Sequence, residues 1–240
     1  MKFTALTYNV HSCIGLDGQC APGRIAEVIA SCDADIVALQ EIDVGRRRSG
    51  QVNQHAVIAE LVQMKSSFYA ALRYEDEEYG GALLSRLPFE LVKTGALPGH
   101  ARLEPRGALW ARVEVHGFVV NVLTTHLGLR PFERNAQVHD LLGSQWMADL
   151  AFTPPAIVCG DFNFTPLSPL HRRIARKLRS VRQAVRRPFS YGTFMGVLAL
   201  DHIFVSSDLK VNGVHVPRTP AAQVASDHRP LVARLEIGAG

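Results

Sequence analysis

Gly160-Asp161-Phe162-Asn163-Phe164-Thr165-Pro166 follows directly on the apolar run Ala156-Ile157-Val158-Cys159. The run does not alternate with polar residues, which fits a strand covered on both faces. It delivers a carboxylate and a carboxamide, two residues apart, to a tight polar turn. Reactive side chains at the end of a rigid strand are what an active site requires. Five more polar clusters stand at the ends of apolar runs: Tyr8-Asn9-Val10-His11, Leu39-Gln40-Glu41, Thr124-Thr125-His126-Leu127, Leu200-Asp201-His202-Ile203 and Ser226-Asp227-His228-Arg229-Pro230. Each alone reads equally well as a turn or a cap. Six together read as one site.

Those clusters run from residue 9 to residue 228 of a 240-residue chain, so both ends contribute to the site and a single domain over 1–240 is expected. Strand-like runs fall at 2–8, 36–39, 81–85, 108–115, 118–125, 156–159, 202–205 and 230–236, and helical patterns at 23–31, 52–64, 134–150 and 169–185. His116-Gly117 joins two of the strands as a hairpin. Hairpins mixed with helices exclude a purely parallel sheet and fit two stacked sheets with helices outside. Residues 95–107 read as a long loop, 43–51 as a charged loop, and Gly80-Gly81 as a backbone requirement and not a phosphate loop.

Charge is concentrated. Residues 171–187 hold eight Lys/Arg and no acid, and the net charge of +4 depends on them. With Leu170, Ile174, Leu178, Val181 and Val185 at helical spacing, the segment reads as a basic amphipathic helix, either a solvated face or a landing strip for a polyanion. No apolar run is long enough to span a membrane. Met1-Lys2 leads straight into a strand, unlike a cleavable signal peptide. Cys13, Cys20, Cys32 and Cys159 show no Cys-x-x-Cys spacing, and a reduced cytoplasmic protein is expected. Nothing calls for an obligate protein partner.

The clustered side chains are mainly hard oxygen donors: Asn9, Glu41, Asp161, Asn163, Asp201 and Asp227, with His126 and His228. Hard oxygens suit Mg²⁺, with Mn²⁺ as a substitute, and the absence of cysteine spacing disfavours zinc. Glu41, ending an apolar strand, is the first ligand expected. Such an ion polarises a phosphoryl oxygen and orients the ester. Asp161 would take a proton from water, and Asn163 would donate to phosphate or hold the nucleophile. A histidine would protonate the leaving group or bind the anionic transition state. The inventory fits hydrolysis of a phosphate ester. His202 is left outside the site, as its strand position points it the other way, and His11 is a weak candidate.

TYNVH at 7–11, LQEID at 39–43, GGALLSR at 80–86, TTHLG at 124–128, GDFNFTP at 160–166, LDHIFVS at 200–206 and SDHRPLVA at 226–233 together resemble the endonuclease/exonuclease/phosphatase superfamily. The resemblance spans essentially the whole chain. It implies an α/β fold, a four-layer α-β-β-α sandwich of two mixed sheets with outer helices, and a divalent metal site at one edge. It implies that Glu41 holds the metal with Asn9 and Asp227 lining the same position. Asp161 would orient or deprotonate the water beside Asn163. His228 would bind the scissile phosphate, Asp201 would fix the tautomer of His228, and His126 would be a second histidine and general acid. Abasic-site endonucleases usually carry tyrosine at the position of His126, so the nuclease and phospholipid-esterase branches are nearer.

Substrate choice is not set by the fold. Arg46, Arg47 and Arg48 sit beside Glu41 in the charged loop, and Arg106 lies in Glu104-Pro105-Arg106-Gly107; all four are candidate phosphate contacts. With the basic segment they favour a metal-dependent phosphodiesterase acting on nucleic acid. A phosphoesterase acting on acidic phospholipid or a soluble phosphorylated metabolite is the alternative, and a non-catalytic binding protein is a distant third.

Overall fold

The computed structural model describes residues 1–184 and 198–238. In chain order the elements are β1 (Lys2–Asn9), α1 (Pro22–Ser31), β2 (Ile36–Val44), α2 (Gln54–Leu61), β3 (Lys65–Tyr74), β4 (Glu77–Ser85), β5 (Phe89–Ala96), β6 (Gly107–Val115) and β7 (Phe118–His126). There follow α3 (Pro131–Leu141), β8 (Ala156–Asp161), α4 (Pro169–Ala175), β9 (Arg179–Ser180), β10 (Asp201–Val205), β11 (Leu209–His215), α5 (Pro220–Val224) and β12 (Leu231–Ile237). Two six-stranded sheets form, in the orders β11-β12-β1-β2-β4-β3 and β5-β6-β7-β8-β10-β9. Each contains one parallel pair, β1 with β2 and β7 with β8, among antiparallel neighbours.

Alternation along the strands builds the four layers. Phe3, Ala5, Ile36, Ala38, Val120, Val122, Ile157, Cys159, Ile203 and Val205 pack between the sheets. Their neighbours Leu6, Tyr8, Val37 and Leu39 pack outward with Ile25 and Ile29 of α1 and Ile58 of α2. On the other side, Leu123, Val158 and Phe204 pack outward with Val138 and Leu141 of α3 and Ile174 of α4. The sandwich implied by the motifs is therefore the observed fold.

Several element boundaries differ from expectation. The helix expected at 169–185 is not one helix. It stops at Ala175, and Arg179 and Ser180 pair with Val205 and Phe204 of β10 instead. An otherwise open edge of a buried strand captures the segment, so Leu178 and Val181 are buried on either side of a two-residue strand and not along a helical stripe. Val185 lies outside the described residues. The helix expected at 134–150 starts at Pro131 and ends at Leu141. β3, β5 and β11 appear where no strand was expected, and each is an outer strand of its sheet or flanks one. Gly80 and Gly81 are backbone requirements as read: a Cβ at Gly80 would lie 1.8 Å from the Tyr69 carbonyl oxygen.

Candidate active site

The carboxyl ends of the two parallel pairs meet at one edge of the sandwich. In register, Asn9 lies beside Gln40 on one sheet and His126 beside Asp161 on the other. Asn9 shares the inter-sheet parity of Phe3 and Ala5. His126 shares that of Val122, Asp161 that of Cys159, and Asp201 that of Ile203. His202 has the opposite parity. Its ring packs on Phe164 and His171, and its Nε2 lies 2.7 Å from the Phe164 carbonyl, on the helix side and away from the site.

Glu41 needs a further device, because simple alternation after Leu39 would turn it toward α1 and α2. A bulge solves this. Gln40 pairs with Gly81 and Ile42 with Gly80, leaving Glu41 as the extra residue at φ +59°. The bulge keeps Ile42 in the helix-side core and re-aims Glu41. Gly160 has φ +147°, and a Cβ there would lie 1.9 Å from the Thr125 carbonyl oxygen. Only glycine lets β8 approach β7 so closely just before Asp161. Asn163, at φ +51°, closes the following turn by donating its N–H to Asp161 Oδ1 at 2.9 Å.

The side chains form one connected network. Asn9 Nδ2 donates to Glu41 Oε1 at 2.8 Å and to Asp161 Oδ2 at 3.1 Å. His228 Nδ1 lies 2.8 Å from Asp201 Oδ2, and its Nε2 lies 3.7 Å from Asp161 Oδ2. His126 Nε2 lies 3.6 Å from Asp161 Oδ2, 4.0 Å from Glu41 Oε1 and 3.1 Å from Asn163 Nδ2. Asn163 Nδ2 also donates to the Leu127 carbonyl at 2.8 Å, which fixes its amide orientation. Asp227 is half-buried beside His228, with its Oδ1 3.3 Å from Ser226 Oγ.

The two histidines hold different protonation states. Burial opposes charge on His228, but the charge and hydrogen bond of Asp201, with Asp161 and Asp227, outweigh it and raise the imidazole to about 10. His126 is driven the other way, by burial first and then by the charges of Arg106 and His228. Arg106 Nη1 donates to His126 Nδ1 at 2.9 Å. A guanidinium can only donate, so Nδ1 accepts; the Nε2 proton that this leaves is met by a second donor, the Asn163 amide at 3.1 Å, so ring and amide compete at that position.

Arg106 is 7% exposed, stands behind His126 and pairs with Glu104 Oε1 at 2.6 Å. It reaches the site through the histidine. The three loop arginines separate as well. Arg48 grips the buried Asp43 through Nε at 2.8 Å and Nη2 at 2.7 Å, and also donates to Ser12 Oγ. Arg46 lies 3.5 Å from Glu77, and the Arg46 and Arg48 guanidinium groups both lie over the Tyr79 ring. Arg47 has an 81% exposed side chain and only a 3.8 Å approach to Glu77. His11 is exposed, and its Nδ1 lies 3.2 Å from the Ile14 carbonyl.

Some site residues carried no recognised signal. Gln40 bridges the sheets, donating to Thr7 Oγ1 at 3.1 Å and Thr124 Oγ1 at 3.4 Å. Ser226 Oγ lies 2.9 Å from the Asn9 carbonyl and accepts from the His228 N–H at 3.1 Å. A polar residue inside each of the runs Leu39-Gln40-Glu41 and Ser226-Asp227-His228 was the available clue.

The donor set fits a hard divalent cation. Glu41, Asp161, Asp201 and Asp227 bring four carboxyl groups to one region. Burial, and next the charge of Asp201, push Asp161 up to about 7 against the pull of His228 and its hydrogen bonds. A crowded carboxyl cluster of this kind favours an added cation. Glu41 and Asp227 are only half-buried, which leaves room for the water that Mg²⁺ retains. Asn9 presents Nδ2 to Glu41, while its Oδ1 accepts from the His11 N–H, so its amide would have to turn to ligate. The most compact candidate group, Asp161, Asp201 and His228, is fully buried and already joined by the histidine proton, so it reads as a hydrogen-bonded chain.

The sequence profile of the Endonuclease/Exonuclease/phosphatase family matches residues 6–228. The chain belongs to this family. Among curated relatives, the uncharacterised protein YbhP of Escherichia coli K12 is 25% identical over 249 residues, covering 98% of this chain and 97% of YbhP. An endonuclease/exonuclease/phosphatase from Beutenbergia cavernae superposes with a TM-score of 0.81 at 22% identity, over 99% of this chain and 72% of that one. The mannosyl-6-phosphatase of Bacteroides thetaiotaomicron gives 0.75 at 19% identity, over 98% of this chain and 100% of the other. The human Nocturnin catalytic domain, with a bound sulfate, gives 0.72 at 22% identity, over 99% and 95% of the two chains. At these identities the structural likenesses establish the fold, and the family to which the chain belongs is one of hydrolases acting on phosphate esters. No helix among the described residues is long and apolar enough to cross a membrane.

Proposed function

We propose that the chain is a divalent-metal-dependent phosphoester hydrolase that uses water as the nucleophile. The observation that carries this reading is the hydrogen-bonded convergence of Asn9, Glu41, His126, Asp161, Asn163, Asp201 and His228 from six strand ends and their turns. Asp161 orients the attacking water and accepts its proton. Its carboxyl, raised to about 7, suits that exchange near neutral pH. His228, kept protonated by Asp201, donates through Nε2 to a phosphoryl oxygen. His126, neutral, donates from Nε2 to the same developing charge once the substrate oxygen takes that proton away from the opposing Asn163 amide, and so acts as an oxyanion donor in preference to the general acid expected from the motif. Asn163 holds the far side of the pocket. Glu41, with Asn9 and Asp227, would hold Mg²⁺ or Mn²⁺, which polarises the phosphoryl group and stabilises the leaving oxygen.

A compact soluble phosphate ester fits this site best, because two of the three loop arginines are already committed to Asp43 and Glu77. A polyanion, nucleic acid or acidic phospholipid, is the second reading. The exposed Arg47 and the exposed Arg172, Arg176, Lys177 and Arg179 favour it. Purified protein with Mg²⁺ or Mn²⁺ should hydrolyse phosphate esters, and His228→Ala should not. Parallel assays on plasmid DNA, RNA, acidic vesicles, soluble monoesters and a chromogenic diester separate the readings. Activity unaffected by His228→Ala would sink the assignment.

A further inference from the structure

α4 starts at Pro169, just after the turn that carries Asp161 and Asn163, and the chain runs from it into β9 at Arg179. No acidic residue stands between Asp161 and Asp201 in the sequence. From Leu170 to Ser180 every exposed residue is a cation: Arg172, Arg176, Lys177 and Arg179, with Arg173 half-buried beside them. Other arginines meet carboxylates. Arg24 pairs with Asp17, Arg46 with Glu77, Arg48 with Asp43, Arg73 with Glu78 and Arg86 with Asp33. Among the described residues, Arg172, Arg173, Arg176 and Lys177 meet none. Arg179 Nη2 donates to the Ser207 and Leu209 carbonyls at 3.3 and 2.8 Å, which leaves its charge unneutralised. The helix dipole accounts for part of this: Arg172 and Arg173 lie in the last turn of α4. Arg176, Lys177 and Arg179 lie at or beyond the helix end, where the dipole no longer calls for three more cations.

Composition and shape select the partner. Unpaired like charges on one rigid face raise a positive potential that a polyanion neutralises. They stand on the outside of a helix and a sheet edge, not in the concave pocket that encloses a small anion. Ile174 and Leu178 are buried with Val158 and Phe204, so the segment has no apolar face to insert into a lipid surface. The one exposed leucine nearby, Leu167, precedes the helix. No aromatic side chain is exposed from Leu170 to Ser180, so unpaired bases have no stacking platform there. A duplex offers what this face can bind, a regular row of phosphates at about one charge per 1.7 Å of axis. We propose that the exposed face of α4 and β9 is a docking surface for the phosphate backbone of duplex nucleic acid. Docking there is separate from ester cleavage and does not depend on which ester the neighbouring site takes. Because α4 leaves the turn of Asp161, a duplex held on this face also reaches the site end of the sandwich.

Fluorescence anisotropy with a labelled DNA duplex, in EDTA to block turnover, tests the surface. Four phosphate contacts give a log–log salt slope of about −3.6, so affinity should fall about 100-fold or more between roughly 50 and 200 mM salt. Arg172→Glu with Arg176→Glu should weaken binding about 30-fold or more and flatten the slope by about 2. Lys65→Glu with Lys210→Glu changes the net charge equally, at exposed positions of β3 and β11 in the other sheet, and should cost about threefold or less. Circular dichroism checks that both pairs fold. Equal losses from the two pairs, or no binding by wild type at the lower salt, would overturn the surface. Single strands should bind more weakly than duplex, and the reverse order would overturn the duplex assignment. Phosphatidylserine vesicles should not displace the duplex; vesicle binding that the Arg172/Arg176 pair abolishes would make the face a membrane contact and sink the proposal. Duplex binding by a protein that hydrolyses no ester would keep the surface and remove the hydrolase reading. Ester hydrolysis without duplex binding would do the reverse.

Discussion

Arg106 and His126 form a donor–acceptor pair of unusual polarity: a guanidinium, not a carboxylate, sits 2.9 Å behind the imidazole Nδ1. A carboxylate in that place would draw a proton onto Nδ1 and favour imidazolium. The guanidinium does the opposite on both counts. Arg106→Gln should therefore raise the His126 pKa and release the tautomer, visible in ¹⁵N imidazole shifts, and lower kcat by about 100-fold as an aligned donor is lost. An unchanged ¹⁵N signature would remove Arg106 from the mechanism.

Glu41 combines a left-handed backbone with a crowded acidic setting. Glu41→Gly relieves both. The metal-free variant should be more stable than wild type by about 1 kcal/mol. It should also lose any rise in Tm that Mg²⁺ or Mn²⁺ gives wild type. Differential scanning calorimetry with and without EDTA reads both effects. A metal-dependent rise retained in the variant would take Glu41 out of the ligand set.

The Asp201–His228 pair makes a separate prediction. Asp201→Asn keeps the shape of the side chain but reverses the hydrogen-bonding demand on Nδ1 and removes the charge that keeps the ring protonated. We expect kcat to fall by about 100-fold or more with little change in fold by circular dichroism. Near-normal turnover would mean that His228 does not act as a charged donor.

Arg47 and Arg48 are neighbours with opposite expected roles. Arg48→Ala leaves Asp43, whose side chain is 0% exposed, without its bidentate partner. Because Arg48 itself is 45% exposed, the cost should be about 2 kcal/mol, below that of a fully buried pair. Arg47→Ala should leave urea stability unchanged. If Arg47→Ala also weakens binding to single-stranded oligonucleotide, the polyanion reading gains. If not, that reading loses its nearest exposed cation.

Buried neutral histidines set the acid response. Burial lowers His202 to about 3 from an ordinary 6.5. The unfolded chain then binds a proton that the folded chain refuses, so stability is whole above about 6.5 and is lost as pH falls toward 3. The slope from this group is about 1.4 kcal/mol per pH unit. His202→Phe should flatten the urea-derived stability between pH 6 and 4 by about that slope, whatever its effect at pH 7. An equally steep profile in the variant would shift the cause to other groups.

The central strands were legible because each carries an apolar run, and the polar residues at their ends could be read as a site. The outer strands were not. Lys65–Tyr74, Phe89–Ala96 and Leu209–His215 alternate weakly and are largely half-buried or exposed, since edge strands have less to bury. The same lack of tertiary information made a helix of residues 169–185: the apolar spacing was real, but pairing with β10 outweighed it. Asn9, Glu41, His126, Asp161, Asn163, Asp201 and His228 are all in the observed network. The bulge at Glu41 and the commitments of Arg46, Arg48 and Arg106 depend on partners far away in sequence, which no local pattern announces.

The chain passes between the sheets by two short links, from Ser85 to Phe89 and from Val205 to Leu209. Ser85 lies opposite Ile36 and Val205 opposite Ile157, so both links sit at the end of the sandwich far from Glu41 and Asp161. The molecule is thus hinged at one end like a book, with its candidate site residues along the open fore-edge. Asn9 to Asp161 and His228 to Asp201 span that opening, so the groups proposed to do the chemistry are also its clasp.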